Sequence, residues 1–73
     1  MDFNAAKAAV VPVGRYRGQT LDDAAQTDEG LRWLDRAFGE RHARRYPEFF
    51  AALEVYLGDP TIAKDVVALV RGR

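Results

Sequence analysis

Cysteine and serine are both missing from these 73 residues, and histidine occurs once, as His42. Without cysteine there is no disulfide, no thiolate nucleophile and no iron–sulfur ligand, and a single histidine leaves almost no route to a zinc site. Without serine the commonest hydroxyl nucleophile is gone, and His42 has no evident partner for general acid–base work. A surplus of charge is missing too: eleven acidic and eleven basic residues leave a formal net charge of zero, unlike a tight stand-alone nucleic-acid binder. No run approaches the ~20 apolar residues of a membrane span, and Met1 to Val11 has no apolar run behind a basic head. The sequence therefore reads as neither exported by a signal nor inserted in a membrane, and the cytoplasm is its expected location. No enzyme activity, metal or cofactor is expected. Gly14 and Gly18 are not followed by the Gly-Lys or third glycine of phosphate-cradling fingerprints. The acids Asp22, Asp23, Asp28 and Glu29 each fall where the first turn of a helix accounts for them.

What is present predicts a folded domain. A hydrophobic content of 48% with 30% charged residues is too apolar for a disordered chain, and residues 1–73 carry no linker or repeat at which to divide them. At this length a single core only just offsets the conformational entropy of folding. Residues 1–8 are expected to fray unless Phe3 docks, with Asn4 as the cap of a short turn. Val10, Val11 and Val13 have β-branched character interrupted by Pro12, which predicts a short edge strand. Gln19 to Leu21 is expected to return beside it as the second arm of a hairpin-like element. Thr20 then caps a short helix from Leu21 to about Gln26, and Thr27 opens a second from about Asp28 to Phe38, stopped by Gly39. Leu31, Leu34 and Phe38 form its apolar stripe. A third helix begins at Pro47 with Phe49, Phe50, Leu53, Tyr56 and Leu57 inward, and Gly58 ends it. Asp59 and Pro60 start a last helix with Ile62, Val66, Leu69 and Val70 inward. The expected fold class is α+β: a short N-terminal β-hairpin-like element packed on a small bundle of three to four helices.

Function is expected at the stretch Gly14 to Thr20. Two glycines bracket Arg15, Tyr16 and Arg17, which are too polar and too closely spaced for ordinary core. Arginine forks suit phosphate, and a tyrosine ring offers a face to an unpaired base. Arg32 and Arg36 stand four residues apart on one helical face, with Arg41, Arg44 and Arg45 following, so a patch forms if the turn folds over that helix. The plainer alternative is that Arg32 and Arg36 pair with Asp28, Glu29 and Asp35. For Tyr16 the plainer alternative is a ring laid back on the core, and for Trp33 the expected role is to close the core beneath the hairpin.

The stretch Val13 to Leu34, V-G-R-Y-R-G-Q-T-L-D-D-A-A-Q-T-D-E-G-L-R-W-L, resembles the small C-terminal domain of exodeoxyribonuclease X-like proteins. In that family a Phe-Gly-Lys-Tyr-Lys-Gly-Lys-Thr type stretch precedes a short acidic helix and an Asp-Pro-Gly-Tyr-Leu-x-Trp-Leu type segment. Gly14, Tyr16, Gly18, Thr20, Leu21, Asp28, Gly30, Leu31, Trp33 and Leu34 stand at matching positions, and Arg15 and Arg17 replace lysines. Val13, Gln19 and Glu29 depart from the pattern, which leaves the element one positive charge short. The resemblance implies a noncatalytic module accessory to DNA- or RNA-processing enzymes, and the residues themselves add an expectation of weak binding of single-stranded or duplex nucleic acid through Arg15, Tyr16, Arg17, Arg32 and Arg36. Gly14, Gly18, Thr20 and Trp33 are expected to build the motif. The alternative is a protein–protein interaction module that uses the same Arg-Tyr-Arg turn.

Overall fold

Helix starts in this chain are set by short polar acceptors and prolines. The computed structural model describes residues 1–40 and 45–71, so the candidates Arg41, His42 and Arg44 lie outside the described residues. The described helices are α1 (Phe3–Lys7), α2 (Leu21–Ala24), α3 (Asp28–Glu40), α4 (Pro47–Gly58) and α5 (Pro60–Arg71). Thr20 Oγ1 accepts the Asp23 N–H at 3.1 Å to cap α2, and Thr27 Oγ1 accepts the Gly30 N–H at 3.0 Å to cap α3. Asp59 Oδ2 takes the Thr61 and Ile62 N–H groups at 3.1 and 3.4 Å before α5. Each such cap stabilises its helix by about 1 kcal/mol. The cap of α1 is Asp2, whose carboxylate accepts the Ala5 N–H at 2.8 Å, and not Asn4.

The core is built on α4, which packs against α1, α3 and α5. Phe49, Phe50, Ala52, Leu53 and Tyr56 are all buried, so this helix is apolar around most of its circumference, as expected of one enclosed by neighbours. Phe3 stacks on Tyr56 with ring centroids 5.3 Å apart, and Lys7 Nζ stands 5.6 Å from the Phe3 centroid. The docked Phe3 meets the condition under which residues 1–8 do not fray. Burial, and then the charges of Asp22, Asp59 and Asp65, push the Tyr56 hydroxyl pKa up to about 12.

The expected α+β class with a β-hairpin is wrong. Among the described residues there is no sheet, only an isolated antiparallel bridge between Val10 and Thr20. Its bonds are Val11 N–H to the Gln19 carbonyl at 2.8 Å and Leu21 N–H to the Ala9 carbonyl at 2.9 Å. Helices close in on both sides of it: α1 is completed at Ala8, and Thr20 already caps α2 with its hydroxyl while its carbonyl accepts the Ala24 N–H at 2.9 Å. Pro12 supplies no further donor. The β-branched run instead serves the core through Val11, which is fully buried, while Val10 and Val13 face outward.

Two helix ends also differ from expectation. Gly39 does not stop α3, which runs to Glu40, and α2 ends at Ala24. The short α2 leaves the Ala24 carbonyl against Gly30, where an added Cβ would lie 1.7 Å from its oxygen, so only glycine lets α2 and α3 come this close. Along α5, Ile62, Val66 and Leu69 are half-buried, but Val70, expected inward, is exposed. No helix among the described residues is long and apolar enough to cross a membrane.

Candidate functional site

The Gly14–Gly18 turn is laid over α3. Gly14 and Gly18 both have positive φ, +88° and +90°. At Gly14 the need for glycine is double, because a Cβ would also stand 2.6 Å from Cζ2 of Trp33. Successive turns, Arg17 N–H to the Gly14 carbonyl at 3.2 Å and Gln19 N–H to the Tyr16 carbonyl at 3.0 Å, keep the loop tight. Tyr16 meets Trp33 edge-on, with centroids 5.4 Å apart and planes at 61°. The ring is therefore half-buried against the tryptophan and the core, in keeping with the plainer of its two expected roles.

Arg15 stands with Cζ 5.8 Å from the Tyr16 centroid and donates from Nη1 to Oε1 of Glu29 in the first turn of α3. The two side chains are 65% and 62% exposed, and a pair so well solvated contributes no more than about 0–1 kcal/mol. Glu29, Trp33 and Arg36 follow one another at spacings of four and three residues, one face of α3, and this face carries the turn. The expected pairing of Arg32 and Arg36 with Asp28, Glu29 and Asp35 is not found among the described residues. Glu29 is taken by Arg15, and Arg32 donates from Nη2 to the Leu69 carbonyl of α5 at 3.3 Å.

Arg36 lies between two recesses. One, of about 180 Å³ beneath the turn, is lined by Val13, Trp33, Ala37, Glu40, Phe49 and Phe50 as well as Arg36. The other, a shallow hollow of about 280 Å³ at the α3–α5 seam, is lined by Arg32, Asp35, Arg36, Leu69 and Val70. Arg17, Arg32 and Arg36 are exposed, and no carboxylate lies within ion-pair distance of any of them among the described residues. The structure thus gathers Arg15, Tyr16 and Trp33 into one cluster, sets Arg32 and Arg36 on the adjoining flank of α3, and leaves Arg17 projecting from the turn. Thr20 serves by capping α2, outside this cluster.

A second surface escaped the sequence reasoning. An open groove of about 690 Å³ between α1 and the start of α4 is lined by Met1, Ala8, Val10, Pro12, Tyr46 and Phe49, among others, with Arg45 on its edge. In the Val10–Thr20 pairing the Val10 N–H and C=O point away from Thr20, so this edge of the chain is open. The signal for the groove was the small-residue run Ala5, Ala6, Ala8, Ala9, which leaves space beside Tyr46 and Pro47.

The chemistry available on the α3 face is cation presentation. Among the described residues no three His, Cys, Asp or Glu side chains converge as metal ligands. Asp22 and Asp23 sit in the first turn of α2 and Asp28 and Glu29 in that of α3, where the helix dipole favours them. No protein-family model, curated protein or solved structure matches the chain.

Proposed function

We propose that this chain is a noncatalytic module that contacts nucleic-acid phosphates weakly through Arg17, Arg32 and Arg36, in keeping with an accessory role beside DNA- or RNA-processing enzymes in the cytoplasm. The observation that carries the reading is that these three arginines are exposed without a carboxylate partner among the described residues. An arginine fork pairs well with phosphate, and one bond to the Leu69 carbonyl leaves most of the Arg32 donors available. Asp35 and the C-terminal carbonyls of α5 lower the potential beside Arg32, so the affinity is expected to be about 10⁻⁴ M or weaker at physiological salt. Contacts of these arginines with phosphate carry little base preference.

The test is fluorescence anisotropy of a labelled oligothymidylate against salt. Three phosphate contacts give a log–log slope of about −2, since each single-strand contact contributes ~0.7. The combined replacement Arg17→Ala, Arg32→Ala and Arg36→Ala is expected to abolish the slope along with the binding. Unchanged binding by that variant would refute the reading. A second reading, a protein-interaction module that does not use the Arg-Tyr-Arg turn of the alternative expected from the sequence, is favoured by the open Val10 edge above the apolar groove, which suits an extended peptide with an apolar side chain. In that case the oligonucleotide does not bind, and the docking surface lies away from the Arg-Tyr-Arg turn.

A further inference from the structure

We infer that Glu29 is an internal competitor for phosphate at Arg15, so that the module holds a fourth cation in reserve; this rests on the phosphate-binding reading above. The turn that carries Arg15 is positioned independently of the ion pair. Gly14 is seated against Trp33, Tyr16 closes over the same ring, and the Arg15 guanidinium lies beside Tyr16 at the first turn of α3. Glu29 accepts from this guanidinium at one oxygen, Oε1 from Nη1, and a phosphate is an acceptor that an arginine fork pairs with equally well. Both partners are more than half exposed, so water screens the pair and an incoming phosphate exchanges with the carboxylate at little cost. In the resting protein the carboxylate neutralises the arginine that the turn holds beside the first turn of α3, and Arg17, Arg32 and Arg36 act without it.

The experiment is a double-mutant cycle on the full chain, with labelled oligothymidylate as the probe at low salt. Glu29→Gln removes the competitor while keeping the side chain's shape. It is expected to tighten binding by about three- to tenfold and to steepen the log–log slope by ~0.7, the value of one added phosphate contact. Arg15→Ala in the wild-type background is expected to change binding by less than about twofold, because that cation is already occupied. Joined with Glu29→Gln it is expected to remove most of the gain. If the gain from Glu29→Gln is the same with and without Arg15, or if wild type binds and Glu29→Gln changes nothing, the competitor role is overturned while phosphate binding stands. If none of the four proteins binds, both fall. Circular dichroism melts of the variants confirm that folded proteins are being compared, since the pair is exposed and outside the core.

Discussion

Tyr16 and Trp33 meet in a T-shaped contact, with ring centroids 5.4 Å apart, and this contact ties the glycine-bracketed turn to α3. Tyr16→Ala is expected to destabilise the domain by about 1–3 kcal/mol through lost apolar burial and the aromatic pair. Because Trp33 is the only tryptophan, its emission reports the same event and should shift to longer wavelength in the folded variant. Emission identical to wild type would mean that the ring does not cover Trp33.

Gly30 and Gly39, both inside α3, are expected to respond to alanine with opposite signs. Helix propensity alone favours alanine by about 1 kcal/mol at either site. At Gly39 nothing lies within 4 Å of the added Cβ, so the gain is expected in full; at Gly30 the Cβ falls 1.7 Å from the Ala24 oxygen. Forcing α2 away is expected to outweigh the propensity gain and leave a net loss of about 1–3 kcal/mol. Urea melts of the two variants decide it, and stabilisation by Gly30→Ala would rule out the close approach of α2 to α3.

Alkaline pH probes Tyr56, whose hydroxyl is held up to about 12 by burial from an ordinary value of 10.0. The folded state keeps the proton more tightly than the unfolded chain, so the stabilisation is complete below pH 10 and is lost as pH rises towards 12. The loss across that window is on the order of 1–3 kcal/mol. Tyr56→Phe should show a flatter profile between the same limits, and a profile parallel to wild type would contradict the burial of this hydroxyl.

Much of the helical framework was legible because its signals are local. Thr20, Thr27, Pro47, Asp59 and Pro60 mark helix starts by their own donors, acceptors or ring, and the stripe along α4 follows from periodicity. The hairpin was misread because Val10, Val11 and Val13 have strand character, while the shortness of the pairing is set by α1 and α2 on either side. The cluster at Trp33 was partly legible: the turn lies over α3, but the partner of Glu29 is Arg15, fourteen positions away in sequence, and not a neighbour on its own helix. The match of Gly30 to Ala24 depends on how helices meet, and no pattern within either segment announces it, whereas the groove beside Tyr46 had a signal only in the alanine-rich run from Ala5 to Ala9.

The most direct test of phosphate binding by the α3 face is a backbone-amide NMR titration of the wild-type protein with oligothymidylate at low salt. The amides of Arg17 and of α3 around Arg32 and Arg36 should shift in fast exchange, the shifts should fade as salt rises, and those around Val10 and Tyr46 should stay in place. No shift even at low salt, or shifts confined to Val10, Tyr46 and the groove between them, would contradict the account.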